Sequence, residues 1–183
     1  MRRPIATFLS LLVLIPALSG CRSRTDRSTG TVVLTLGEFN GVPNTISATT
    51  AVKNAGVFIT SLIIRSFSKD PTGTTGTLQN VEITSYQVTY HRRDTGTRTP
   101  PTLIESVFLL VPVNSQATLN NGPLMRLDQV LNPPISDLAK FGKDQETGSA
   151  VVVLDATMQF FGRTLSGDAV ATAPISFTMD VTP

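Results

Sequence analysis

Cysteine and histidine are nearly absent from this 183-residue chain, which has one of each, Cys21 and His91. Structural zinc sites take four nitrogen or sulfur ligands, so that class of centre is excluded. Disulfides are excluded with it, and any domain beyond Cys21 has to be held by packing alone. Histidine-based hydrolysis also loses its footing, because a triad needs a nucleophile, a histidine base and an orienting acid. His91 closes an expected strand beside Arg92 and Arg93, and no GxSxG stretch occurs anywhere. A histidine in that position is ordinarily solvated, which makes an enzyme the weakest of the readings kept open. Calcium loops of the DxDxDG kind are lacking too; Asp144 and Glu146 share one loop and Asp168 lies in another. Such oxygen ligands reach a common ion only by converging across loops, and loop carboxylates are ordinarily just hydrated. No metal or cofactor is expected.

Excess positive charge is missing where a polyanion would need it. Of 15 Lys and Arg against 13 Asp and Glu, Arg2, Arg3, Arg22, Arg24 and Arg27 all precede residue 31, with only Asp26 to balance them. The remainder holds 10 basic and 12 acidic side chains, a net charge of −2. Nucleic acid is therefore not an expected partner, despite a sequence pI near 9.0.

Long hydrophobic runs are also lacking. The longest, residues 5–18, is interrupted by Thr7, Ser10 and Pro16 and falls short of the roughly 20 residues that span a bilayer. Arg2 and Arg3 precede it, the charge-then-apolar order of a secretory signal peptide. Its end, Leu18-Ser19-Gly20-Cys21, resembles the bacterial lipobox at all four positions. That resemblance implies cleavage before Cys21 and acylation of its sulfur and new amino group. Several acyl chains, at ~0.8 kcal/mol per buried CH₂, hold a protein stably where one does not. The expected division is a lipoprotein signal peptide at 1–20, a lipidated cysteine and polar tether at 21–30, and one domain at 31–183. Residues 22–30 reach about 30 Å at ~3.6 Å each, so the domain stays close to the lipid surface. Arg22 stands where inner-membrane lipoproteins of enterobacteria resemble one another in carrying Asp, which favours the outer over the inner membrane.

Beyond the tether the pattern is that of strands. Residues 31–36, 57–67, 81–92 and 103–113 are β-branched and apolar, with a short fifth strand expected at 117–119. Residues 38–54 read as a loop with one short extended piece. Within 81–92 the apolar parity switches from odd (Val81, Ile83) to even (Tyr86, Val88, Tyr90), which calls for a bulge near Thr84 and Ser85 or for cover on both faces. Leu124, Leu127, Val130 and Leu131 fit a helical face, and Asn132-Pro133-Pro134 fits the start of a second short helical turn stopped by Gly142.

The last 34 residues carry the strongest alternation. Even positions from Ala150 to Phe160 are apolar, and after Ser166-Gly167 the apolar set is odd, Ala169 to Val181. An even face meets an odd one only through a two- or four-residue loop, or through a three-residue loop with a bulge. Met158 and Phe177 are then expected inside, with Gln159 and Thr178 outside. Pro174 cannot donate to a ladder, which puts this strand at or near a sheet edge. The fold class expected is all-β, a single Ig-like antiparallel β-sandwich with a short helical connection before the last hairpin.

Two stretches, Tyr86-x-Val88-x-Tyr90 running into Arg93-Asp94-x-Gly96, and Phe160-Phe161-Gly162-Arg163 before Ser166-Gly167, resemble segments of uncharacterised bacterial lipoproteins. In that group an Ig-like sandwich follows the lipobox, so the resemblance implies a fold and a cell-envelope location and no activity. A non-catalytic binding or structural module is expected, tied to the membrane by its acyl chains and meeting an envelope protein through loops or an edge strand. The alternative is a carbohydrate- or anion-binding lipoprotein using a basic and aromatic corner of Tyr90, His91, Arg92, Arg93 and Arg98. Against it stands the plainer picture of a turn whose arginines lie along the surface.

Overall fold

Alternating apolar residues drive most of the chain into strands. The computed structural model describes residues 30–183, so Cys21, Leu18, Ser19, Gly20 and nearly all of the tether lie outside the described residues. The elements are β1 (Val32–Asn40), β2 (Thr45–Ser47), α1 (Ala48–Lys53), β3 (Gly56–Ser68), β4 (Val81–Arg92), β5 (Leu103–Val111) and β6 (Ser115–Arg126). They continue with α2 (Leu127–Val130), α3 (Ile135–Phe141), β7 (Val152–Thr164), β8 (Ala169–Ala171) and β9 (Ile175–Thr182). One sheet runs β1-β3-β6; the other runs β2-β9-β7-β4-β5, with β8 paired to β7. The two sheets pack face to face as the all-β sandwich that the alternation required. All pairings are antiparallel except the three-residue β2–β9 ladder.

Leu34, Leu62 and Ile64 from the first sheet meet Val88, Leu154, Met158 and Phe160 from the second in one buried core. The rings of Tyr86 and Phe160 lie 4.9 Å apart inside it, a spacing at which aromatic pairs add to simple burial. Along one flank, Phe39 of β1 closes on Phe177 of β9 with ring centres 6.3 Å apart. Both tyrosines of the chain then cross from β4 to the opposite sheet. Tyr86 Oη donates to the Pro123 carbonyl at 2.8 Å, and Tyr90 Oη donates to the Leu124 carbonyl. Leu124 lies where β6 slips register against β3, between Met125 and Pro123, so its carbonyl falls at a break in the ladder. Burial pushes both phenols well above the usual tyrosine range, and each stays a donor.

The parity switch in β4 is a register shift between Ile83 and Ser85 against both neighbours, with Thr84 exposed and Ile83 and Tyr86 both inside. The final hairpin takes the bulged form of the three-residue loop. Thr164 and Asp168 bracket Leu165, Ser166 and Gly167, with Thr164 N donating to Asp168 O at 2.9 Å. Register then slips by one between β8 and β9. Gly162 faces Val170, whereas Met158 faces Ile175 and Ala156 faces Phe177. Thr172 fills the slip, its hydroxyl accepting from Phe160 N at 3.1 Å. The consequence corrects the expected odd set: Val170 and Thr172 point inward, and Ala169 and Ala173 are exposed. Met158 is buried and Phe177 half-buried, while Thr178 is exposed and Gln159 half-buried. β9 borders the sheet edge as Pro174 required, flanked beyond β7 only by the short β2.

Three other expectations are corrected. The stretch 38–54 holds a helix, α1, because Ser47 caps it by accepting from Thr50 N at 3.3 Å and because Ala48 and Ala51 bury one face. The fifth strand is twelve residues long, and Leu124 belongs to it and not to a helix. The helical face divides, with Leu124 and Val130 buried and Leu127 and Leu131 exposed. Gly142 ends α3 with φ 68°, the left-handed conformation that a helix stop favours.

The sandwich therefore has two unlike ends. Val81 sits opposite both Val111 and Thr164, and Val32 opposite Ser68, so the chain enters where these strands meet. This is the tether end. Arg92 sits opposite Leu154, and Gly56 opposite Arg126, at the other end, which carries the three described α-helices.

Candidate functional site

Strand alternation separates the residues of the expected basic corner. Tyr90 and Arg92 share the inward face of β4, while His91 and Arg93 are exposed on the outward face. Tyr90 is consumed by its bond to Leu124. Arg93 lies 3.5 Å from Asp155 on the outer surface of the sheet, and Arg98 lies 3.8 Å from Asp137 of α3. The five residues thus present no common surface.

Arg92 is the unexpected one. Only 1% of its side chain is exposed, and it is ringed by acids. Nε and Nη2 donate to the two oxygens of Asp94 at 2.6 and 2.7 Å, and Nη2 also donates to Asp144 at 2.9 Å. Nη1 donates to Glu146 at 3.4 Å and to the Arg98 carbonyl at 3.5 Å. A guanidinium has five N–H groups in a fixed fork, and five acceptor contacts surround this one. Gly96 lets the loop close over it, since a Cβ there would lie 2.0 Å from the Arg92 Cζ.

The carboxylates are held from their other sides as well. Glu146 accepts from Thr97 N and Oγ1 at 2.9 and 2.6 Å and from Arg98 N at 3.0 Å. Asp144 accepts from Thr147 N and Oγ1 at 3.1 and 2.7 Å. Bonds from Arg92 hold the Asp94 carboxyl below its ordinary value, and bonds from Thr97 do the same for Glu146. For Asp144, burial pushes upward, but Thr147 and Arg92 outweigh it and the net shift is downward. The acids considered for calcium are accordingly engaged by a guanidinium and loop donors. Asp168 takes no part: it bonds Thr164 and Ser166 at the tether end, with most of β7 between, on the order of 30 Å at ~3.3 Å per residue. The cluster fastens loop 93–102 to loop 142–151 and leaves Arg92 no donor for a ligand.

One surface with binding character is a groove beside Phe58. It is open, about 670 Å³ in volume, with Phe58, Pro123, Leu127 and Leu131 as its floor. Phe58, Leu127 and Leu131 are large apolar side chains that folding leaves exposed. Charges border it: Arg126 Nη1 donates to Glu105 at 3.1 Å, and Arg126 Nε lies 3.5 Å from Asp128. A second groove of about 370 Å³ on the other side of Phe58 is lined by Ile46, Ala51 and Val57. An apolar floor within a charged border is the make-up of a protein contact more than of a small-molecule cavity. Sequence reading passed over it because helical periodicity assigned Leu127 and Leu131 to the core. Leu127, Val130 and Leu131 do fall on one helical face by spacing, but α2 buries Val130 and leaves both leucines exposed, and nothing in the sequence distinguishes them.

No family model, curated protein or solved structure matches the chain.

Proposed function

We propose that the chain is a lipid-anchored cell-envelope protein, held by acyl chains on Cys21, that acts without catalysis by seating an envelope protein partner in the groove beside Phe58. The observation that carries this reading is the exposure of Phe58, Leu127 and Leu131 on one bordered surface at the end away from the tether. An apolar patch ringed by charge is worth keeping only if something covers it. The outer membrane is the favoured location, because Arg22 follows Cys21 where inner-membrane lipoproteins of enterobacteria resemble one another in carrying Asp. The anion-binding alternative gains no matching observation, since Arg92 is fully engaged by Asp94, Asp144 and Glu146.

The anchor is tested by the mass of the N-terminal peptide from membrane-extracted protein. A peptide beginning at Cys21 and carrying acyl chains is expected, and Cys21→Ser should move the protein to the soluble exported fraction. Recovery of Cys21→Ser protein in a carbonate-resistant membrane pellet would contradict the anchor.

A further inference from the structure

We propose that the tether end of the sandwich docks on the phospholipid surface through Leu78 and Leu165, an inference that rests on the lipid-anchor reading. Leu78 lies in a single 3₁₀ turn, Thr77–Gln79, and Leu165 in the hairpin loop between β7 and β8. Two backbone bonds pin these loops together: Leu165 N donates to Asn80 O at 2.9 Å and Ser166 N to Leu78 O at 3.0 Å. Both leucines nevertheless stay in the open, 63% and 46% exposed. The fold places them side by side and gains little from burying either.

The position of the chain identifies what covers them. Gly30 is buried close to Val170, Asp168 and Thr164, one residue from the Leu165 loop. The nine residues 22–30 reach about 30 Å, so a lipid-borne Cys21 holds this end, and not the helical end, at the bilayer. Arg22, Arg24 and Arg27 against Asp26 give the tether a net charge of +2, suited to anionic headgroups. Two part-exposed leucines amount to much less than the ~800 Å² per partner that a stable protein contact buries. Entry into an acyl layer needs no matched surface. It takes apolar side chains at the tip of a rigid body, which is what the pinned loops supply.

The test uses the full chain, purified from membranes and reconstituted in phosphatidylethanolamine–phosphatidylglycerol vesicles whose acyl chains carry a nitroxide quencher. A fluorophore is attached to Leu78→Cys, to Leu165→Cys or, at the helical end, to Thr99→Cys. Acylation of Cys21 is read independently by mass. Quenching several-fold stronger at the two leucine positions than at Thr99→Cys is expected, and the signal at Leu165→Cys should fall when Leu78→Ser is added, with the thermal transition unchanged. Equal quenching at all three positions on an acylated protein would overturn the docking and leave the anchor standing. An unmodified Cys21 would overturn the anchor reading and the docking that rests on it, a result told apart by mass from equal quenching on acylated protein.

Discussion

The two ends of the sandwich solve the problem of loop ends differently. At the helical end, charge does the fastening: Arg92, Asp94, Asp144 and Glu146 close two loops over a buried guanidinium. At the tether end, backbone bonds do it, with Leu165 and Ser166 donating to the 78–80 turn and Lys69 N donating to Thr31 O. A buried ion cluster makes one end sensitive to pH and to single substitutions. The tether end relies more on backbone bonds, although Ser166 also donates to Asp168 there and bonds from Thr72 hold the Asp70 carboxyl below its ordinary value. Its exposed leucines are free to do something else. The contrast also separates the surfaces: the charged fastening lies at the same end as the apolar groove and holds the loops there, without forming a binding site itself.

Removing a partner of Arg92 has the largest expected effect. Asp144→Ala leaves a buried guanidinium short of an anion and should cost about 3 kcal/mol, read as a shift in the urea midpoint. A loss no larger than that of a quiet surface change would mean that the cluster fastens nothing. Tyr90→Phe comes next, because it strands the buried Leu124 carbonyl, and about 1–3 kcal/mol is expected from chemical denaturation.

A pH series sharpens the same contrast. Asp94, Asp144 and Glu146 titrate below their ordinary values of 3.8, 3.8 and 4.5. A carboxyl with a depressed folded pKa stabilises fully above its unfolded value and loses that contribution as pH falls through the folded one. Stability from this cluster should therefore be flat above about pH 5 and decline below pH 4. The decline should be shallower in Arg92→Met, measured by thermal melts from pH 7 to 3; an unchanged slope would contradict the linkage. The smallest effect belongs to the tether end, where Leu78→Ser with Leu165→Ser should alter stability by no more than about 0.5 kcal/mol each.

The unequal legibility of the sequence follows the same physics. Alternation with period two made the strands, the β4 bulge and the β7–β9 pairing readable, because burial acts residue by residue along one face. It failed at Val170, where a one-residue slip stabilised by the Thr172 hydroxyl reverses the faces, since nothing in Ala169–Ala171 distinguishes the two registers. Helix α1 was hidden because Ala-Thr-Thr-Ala-Val-Lys is too short and too β-branched to announce itself, and its cap and tertiary packing make it. At the helical end, Arg92 read as a surface basic residue, although its even number placed it with Tyr86, Val88 and Tyr90 on the inward face. Asp94, two residues on, is a local partner, but Asp144 and Glu146 come from a loop about 50 residues further along, and no local pattern connects them to Arg92. The groove is a product of several elements at once, β3, β6 and α2, and such surfaces leave no trace in any single stretch.

Two ends that meet different partners are distinguished by one photocrosslinking experiment in cells. A photoreactive residue is placed at Leu131 in the groove or at Leu78 on the tether end of the full-length protein. The account predicts one reproducible protein adduct from Leu131, abolished when Leu127→Asp is added to the groove, and lipid adducts without that protein from Leu78. Capture of the same protein from Leu78 and none from Leu131 would contradict it.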